Sequence, residues 1–136
     1  MNSLIDTGFL VAVLDEKDFL HENCVSALAA EISPLLPEIV LTELAYLVSR
    51  ELGYKVWTKF LRSVADGELP LISVELKDLA RAAEILEKYQ DSKLDFVDAA
   101  IMAIAERLDI ERILTVDRRD FGLFRPLHCE AFEIIP

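Results

Sequence analysis

The sequence has few of the residues that build the most recognisable chemical sites. It contains two cysteines and two histidines in 136 residues, without the close spacing of a zinc site or a redox motif. Its four glycines do not form a glycine-rich phosphate loop. The composition therefore argues against a disulfide framework, and Cys24 and Cys129 are expected to be buried free thiols in a reducing compartment.

Positive charge is also scarce. Fourteen lysines and arginines stand against 25 aspartates and glutamates, which gives a net charge of −11. A domain this acidic repels polyanions, and this weighs against a protein that passively coats nucleic acid. An enzyme that meets a phosphodiester through a bound divalent cation remains compatible, because the ion reverses the local potential.

Long apolar runs are absent as well. The apolar stretch at residues 9–14 is far shorter than a membrane span and has no positive charge before it. We therefore expect a cytoplasmic protein without a signal peptide or membrane association. The length suits a single domain over residues 1–136 with its own hydrophobic core.

Strand and helix signals alternate along the chain. Strands are predicted at residues 4–5, 38–41, 113–116 and 132–135, with a further apolar segment at 69–73. Helices are predicted at residues 7–14, 21–32, 54–64, 76–89 and 94–108, and Thr42 can cap a further helix that runs through Arg50. This alternation predicts a three-layer α/β/α fold with a central, mostly parallel sheet.

Carboxylates stand where buried elements begin or end. Asp6, Glu43 and Asp117 each follow an apolar run that is typical of a buried strand. Because the carboxyl ends of parallel strands meet at a ligand-binding crevice, we expect these three groups to converge. Asp95 and Asp98, one helical turn apart, begin the most apolar helix, where a solvated charge is not expected.

Carboxylates that meet in one crevice need a cation. Two like charges 4 Å apart repel by about 4 kcal/mol at an effective dielectric constant near 20. Oxygen ligands without nearby histidine or cysteine favour Mg²⁺ or Mn²⁺ over zinc. Such a site predicts metal-assisted hydrolysis of a phosphodiester. Taken singly, Asp6 or Asp117 could instead be a helix cap, and Glu43 a first-turn acid favoured by the helix dipole.

Four segments together resemble a PIN domain, specifically the VapC-type toxins of prokaryotic toxin–antitoxin pairs. They are LIDTGFL at residues 4–10, VLTELA at 40–45, DAAIMAIAERL at 98–108 and ILTVDRRDF at 113–121. The resemblance spans nearly the whole chain and implies a PIN-like fold. It also implies that Asp6, Glu43, Asp98 and Asp117 are the catalytic residues and hold Mg²⁺ or Mn²⁺, with Asp95 as an auxiliary metal ligand.

The same resemblance implies a metal-dependent endoribonuclease that acts on RNA as a toxin and is inhibited by a cognate antitoxin. Family members often carry serine two residues after the first aspartate, whereas this chain has Gly8, and Thr7 is the candidate substitute. A homodimer is also expected, because helices between residues 40 and 61 carry more apolar side chains than a small sheet should cover. These side chains are Leu44, Leu47, Val48, Val56, Trp57 and Phe60.

Two other function classes stay open. A phosphohydrolase of another α/β class, such as a HAD hydrolase, also places an aspartate behind its first strand, but Asp6 is not followed by the second acid of the D-x-D pattern. A catalytically silent PIN-like interaction module would use the acids only to bind cations or arginines of a partner. Arg118 and Arg119 are either phosphate contacts or partners of surface acids, and His21 and His128 are expected to pack or lie at the surface.

Overall fold

Five strands and seven α-helices alternate in the computed structural model, which describes residues 1–136. The strands are β1 (Asn2–Ile5), β2 (Ser33–Pro37), β3 (Leu71–Ile72), β4 (Arg112–Leu114) and β5 (Glu133–Ile135). The helices are α1 (Thr7–Leu14), α2 (His21–Ala30), α3 (Val40–Glu51), α4 (Tyr54–Ala65), α5 (Leu76–Lys88), α6 (Phe96–Leu108) and α7 (Arg118–Leu123). A 3-10 turn over Gln90–Ser92 precedes α6.

All strands run parallel in one sheet with the order β3-β2-β1-β4-β5. Right-handed crossovers put α1 to α4 on one face and α5 to α7 on the other. The contacts agree, since α1 packs on α2 and α3, and α5 packs on α6. The strand order reverses between β1 and β4, so the crevice at their carboxyl ends is the topological switch point. The predicted three-layer fold is confirmed, with a sheet that is parallel throughout.

The core is centred on β1, β4 and α6. Leu4, Ile5, Ile113 and Leu114 are fully buried in the two strands. Helix α6 is buried at every residue from 98 to 105, which explains why its sequence is apolar around most of its circumference. No helix of the structure combines the length and apolar character needed to cross a membrane. The aspartates at the start of α6 are therefore attached to the most deeply buried helix of the fold.

The predicted second strand at residues 38–41 is wrong. Strand β2 is Ser33–Pro37, and Val40 already begins α3. Prolines usually exclude a central strand, but Pro34 precedes the residues that pair with β3, and Pro37 lies beyond those that pair with β1. The two prolines therefore mark the ends of the strand and not the end of the preceding helix.

The other predicted helices end within two residues of the observed ones, but α7 is not predicted by the sequence. It has only six residues, too few to show a helical periodicity. Both cysteines are free as expected, although only Cys24 is buried and Cys129 is half-buried. His21 and His128 pack as expected, each with a ring nitrogen bonded to a backbone carbonyl, of Ala12 and Ile110 respectively.

The apolar side chains of α3 and α4 are better covered than the sequence suggests. Leu44 and Val48 are fully buried, and Phe60 is nearly so. Trp57 stacks on Phe60 with ring centroids 5.8 Å apart and packs against the core together with Val56. The argument that these residues exceed what the sheet can cover is therefore wrong for most of them, because α4 folds back against α3.

Candidate active site

Carboxylates gather at the switch point between β1 and β4. Asp6 directly follows β1, and Asp117 lies three residues beyond β4. Asp98 reaches the same place from the first turn of α6 on the other face of the sheet. Carboxylate oxygens of Asp98, Asp117 and Asp120 lie within 4.8 Å of one another. Two of the residues selected from the sequence thus meet here, together with one that was not selected.

Asp6 is both a helix cap and a member of this crevice. Its Oδ1 accepts the backbone N–H of Thr7 at 2.8 Å, and its Oδ2 accepts the hydroxyl of Thr115 at 2.8 Å. Burial raises the pKa of Asp6 to about 6, against the lowering effect of these two hydrogen bonds. The charges of Glu43 and Asp117 add to the rise, so both carboxylates act on Asp6 across the crevice.

Thr115 joins two of the acids and was not selected from the sequence. Its hydroxyl donates to Asp6 and accepts the backbone N–H of Asp117 at 3.0 Å, while the residue is only 1% exposed. This hydroxyl fixes the position of Asp6 relative to the start of α7. A threonine at the carboxyl end of a predicted central strand, two residues before an aspartate, is the signal that could have identified it.

Asp98 is the carboxylate of the group whose ionised form is disfavoured most. It is 7% exposed, and its only local contact is a backbone N–H that donates to Asp95 Oδ1 at 2.8 Å. Burial, followed by repulsion from Asp6, Asp95, Asp117 and Asp120, raises the pKa of Asp98 to about 8. The ionised form is therefore disfavoured at neutral pH unless a cation is present.

Asp120 is the member of the three-aspartate group that sequence reasoning missed. Its backbone N–H donates to Asp117 Oδ1 at 2.9 Å, and its own carboxylate pairs with Arg119 at 2.7 Å. Burial and the neighbouring Asp117 raise the pKa of Asp120. The segment D-R-R-D repeats the D-F-V-D arrangement at the start of α6, and this shared pattern could have revealed it.

Asp95 and Glu43 lie at the margins of the group. Asp95 is exposed and caps α6, and its carboxylate is not one of the three that meet within 4.8 Å. Glu43 lies in the first turn of α3 and is half-buried. It does not follow a strand, and the predicted cap Thr42 is wrong, because the helix begins after Ile39 without a side-chain cap. Glu43 reaches the crevice from a helix and not from a strand end.

The first turn of α1 explains the departure at Gly8. A Cβ at Gly8 would lie 3.0 Å from Cγ2 of Val116, so a serine would have to displace that side chain. The hydroxyl of Thr7 is buried without a hydrogen-bond partner. Thr7 therefore does not supply a hydroxyl contact to the carboxylates, and Thr115 provides the only one at Asp6.

The donor set fits a hard divalent cation. All ligand atoms at the meeting point of Asp98, Asp117 and Asp120 are carboxylate oxygens, and neither histidine is among them. Such ligands suit Mg²⁺ or Mn²⁺. A divalent ion would also remove the repulsion that raises the pKa of Asp98. The arrangement can therefore hold a metal and present it at an open crevice.

Comparisons with known proteins agree with this geometry. The model of the PIN domain family matches residues 3–124. The chain is 36% identical over 138 aligned positions to Ribonuclease VapC26 of Mycobacterium tuberculosis (strain ATCC 25618 / H37Rv), covering 98% of this chain and 99% of that protein.

Solved structures share the fold at low sequence identity. The crystal structure of M. tuberculosis VapC20, described as a Sarcin-Ricin loop cleaving toxin, has a TM-score of 0.83 at 20% identity and covers 94% of this chain and 98% of that one. VapBC2 from Rickettsia felis, bound to promoter DNA, gives 0.72 at 19% identity over 100% of both chains. A toxin–antitoxin complex from Klebsiella pneumoniae gives 0.71 at 20%, over 90% and 92%. By its sequence and its fold, the chain belongs to the PIN domain family.

Proposed function

We propose that the protein is a metal-dependent endoribonuclease that hydrolyses RNA phosphodiester bonds. The observation that carries this proposal is the meeting of Asp98, Asp117 and Asp120 within 4.8 Å at the switch point of the sheet. A buried carboxylate with like charges around it destabilises the fold, and such groups cluster at functional sites. The similarity to Ribonuclease VapC26 over nearly the whole chain supports RNA as the substrate.

In this proposal the chain holds Mg²⁺ or Mn²⁺ through its carboxylates. Asp98, Asp117 and Asp120 provide direct oxygens, and Asp6 and Glu43 complete the set directly or through water. When bound, the ion lowers the pKa of a coordinated water and stabilises negative charge on the phosphodiester. The residues of the chain keep this set in place.

Preorganisation is supplied by short hydrogen bonds. Thr115 holds Asp6 and the backbone of Asp117 at 2.8 and 3.0 Å. The caps of α6 and α7 fix Asp98 and Asp120 through their backbone N–H groups. Carboxylates that are held by such bonds need little rearrangement when a cation and a phosphate arrive.

We further infer that this activity is that of a toxin with a cognate antitoxin. The structural relatives include toxin–antitoxin assemblies, which supports such a partner. A small partner would lay a segment across the crevice and offer an arginine or lysine, since a guanidinium can satisfy two carboxylate oxygens at once. Co-expression with the protein of the neighbouring gene should yield a complex that no longer cleaves RNA, and the lack of a complex would contradict the inference.

The homodimer and the cytosolic location stay predictions. Tyr46, Tyr54 and Leu61 remain exposed on α3 and α4, and this smaller apolar surface is what a second copy could cover. Light scattering should give twice the monomer mass at micromolar concentration, and a monomer would contradict the homodimer.

The central test is RNA cleavage with a matched pair of variants. Purified protein should cleave RNA in Mg²⁺ or Mn²⁺ and not in EDTA, and Asp98→Asn should be inactive. Asp66→Asn provides the control. It makes the same chemical change outside the crevice, because Asp66 is exposed at the end of α4. A wild-type protein that is folded but inactive on RNA with either metal would contradict the proposal and favour an interaction module. A trapped phosphoenzyme would instead favour a phosphohydrolase.

A further inference from the structure

A second cavity adjoins the carboxylate crevice. It has a volume of about 280 Å³ and lies between the start of α2, the loop from β4 to α7, and the end of β5. Its walls are Leu20, Asn23, Thr115, Val116, Arg118 and Pro136. It shares Thr115 with the crevice, because the hydroxyl of that residue donates to Asp6. A chain of RNA that places a phosphate at the carboxylates therefore has this cavity beside it.

The two neighbouring arginines, Arg118 and Arg119, have different partners. Arg119 pairs with Asp120 at 2.7 Å and so compensates a carboxylate of the crevice. Arg118 forms no ion pair with any acid of this very acidic chain, and its guanidinium bonds to the backbone carbonyl of Pro136. Arg118 is exposed on the wall of the cavity, directly after Asp117 in sequence. It offers a positive charge that no aspartate or glutamate side chain neutralises, beside a site that otherwise repels RNA.

The remaining walls suit a partly polar ligand. Leu20, Val116 and Pro136 are apolar, whereas the amide of Asn23 is exposed and has no hydrogen-bond partner in the chain. The volume is below the range typical of sites for drug-sized ligands. A single unstacked nucleobase, which presents apolar faces and a hydrogen-bonding edge, matches both the size and the chemistry.

We propose that this cavity binds the nucleotide next to the scissile phosphate, with Arg118 on its phosphate and Asn23 on its base edge. The inference rests on the proposed ribonuclease function and names the part of the molecule that selects the cleavage site. A guanidinium binds a phosphate through two parallel hydrogen bonds, and an amide reads a base through one donor and one acceptor.

Steady-state cleavage of a randomised RNA oligonucleotide pool tests the role of Arg118. Arg118→Gln should raise KM about tenfold and leave kcat nearly unchanged, because the contact is made equally before and during the reaction. The matched control is Arg125→Gln, since Arg125 is also exposed, also bonds only to backbone carbonyls, and lies beyond the far end of α7. An equal rise of KM in both variants, or in neither, would overturn the assignment of Arg118.

Sequencing of the new RNA ends from the same pool tests the base contact. The wild type should show a preference at one position next to the cut, and Asn23→Ala should weaken it while the preferences at other positions stay. Unchanged base frequencies would overturn the assignment of the cavity to a base. Thermal melting of each variant shows that it is folded, so that a change in KM or preference is not a loss of structure.

A binding arm separates this inference from the proposed function. In EDTA the protein should bind the same RNA pool, carrying a fluorescent label, without cutting it. Arg118→Gln should weaken that binding about tenfold relative to Arg125→Gln. If the wild type cleaves no RNA but this difference in binding remains, the nuclease proposal fails, and the cavity is an RNA-binding site without a scissile phosphate beside it. If the wild type cleaves RNA and the two variants bind equally, only the cavity assignment fails.

Discussion

Helices α6 and α7 begin with the same four-residue arrangement and end up in different surroundings. In each, an N-cap aspartate accepts the backbone N–H of a second aspartate three residues later, at 2.8 Å for Asp95 and 2.9 Å for Asp117. In α6 the cap is exposed and Asp98 is buried, whereas in α7 both aspartates are half-buried. The same capping arrangement therefore places the carboxylates of the two helices in different environments, because α6 runs through the core and α7 lies at its edge.

Charge compensation differs in the same way. Asp120 of α7 has Arg119 at 2.7 Å, whereas Asp98 of α6 is surrounded by like charges. Burial, followed by repulsion from these like charges, raises the pKa of Asp98 to about 8. A divalent cation would stabilise the ionised form of Asp98 more than that of Asp120, because at Asp120 it would have to compete with Arg119. The start of α6 thus holds the carboxylate whose charge is compensated least.

The largest effect is expected when the buried aspartate of α6 is neutralised. Asp98→Asn should reduce metal-dependent RNA cleavage by more than about a hundredfold, because it removes a direct ligand and not merely a supporting contact. Cleavage assays against Asp66→Asn give the measurement. Activity within tenfold of the wild type would show that Asp98 is no more important for cleavage than a residue outside the three-aspartate group.

The corresponding change in α7 should also abolish cleavage without harming the fold. Asn caps a helix about as well as Asp, so Asp117→Asn should leave the metal-free protein as stable as the wild type or more stable, since one like charge is removed. The wild type should gain thermal stability with Mn²⁺ and the variant should gain less. Equal stabilisation together with undiminished cleavage would mean that Asp117 is only a cap.

The pH dependence of the metal-free protein should reveal the strain at Asp98. Its folded pKa, about 8, exceeds the unfolded value, so the folded state binds more protons between the two and stability falls as the pH rises from roughly 4 to 8. The raised pKa of Asp6, about 6, acts in the same direction over the lower part of this range. The loss attributable to Asp98 at pH 7 is on the order of 4 kcal/mol.

Urea unfolding in EDTA at a series of pH values measures this loss. Asp98→Asn should remove most of the slope between pH 7 and 8, because Asp6, with a pKa of about 6, is almost fully ionised above pH 7. A wild-type stability that is constant across this range would show that Asp98 is not destabilised by its surroundings.

A smaller effect is expected where α1 approaches the loop before α7. Gly8→Ser should displace Val116, destabilise the protein by about 1–2 kcal/mol and lower cleavage about tenfold, because Thr115 and Asp117 flank the displaced residue. Val116→Ala combined with Gly8→Ser should restore much of both. A double-mutant cycle with no coupling would show that the two positions are independent.

The smallest effect is expected at the exposed cap of α6. Asp95→Ala should cost about 1 kcal/mol of stability through the lost cap, whereas Asp95→Asn should leave stability nearly unchanged. Cleavage by Asp95→Asn should stay within tenfold of the wild type. A loss as large as that of Asp98→Asn would instead identify Asp95 as a direct ligand and remove the difference between the two helix starts.

Much of the site could be inferred from the sequence because its acids adjoin buried elements. Asp6 and Asp117 follow the central strands, and Asp98 begins the most apolar helix, so their convergence follows from the parallel topology. The reason for expecting Glu43 near the crevice is wrong, because the residues before it begin a helix and do not form a strand. Asp120 and Thr115 were missed because their roles depend on contacts between β1, β4 and α7 that no short segment encodes.

The alternation of strands and helices and the caps at Asp6 and Asp117 can be predicted from the sequence, because hydrophobic periodicity and the bond that a backbone N–H donates to an aspartate are local. Tertiary contacts set which carboxylates are buried, which one has an arginine beside it and which arginine lacks an acidic side chain as its partner. Burial and charge pairing depend on residues distant in the chain, such as Thr115 at Asp6. The same Asp-x-x-Asp segment can therefore supply an exposed cap or a buried carboxylate, according to what packs around it.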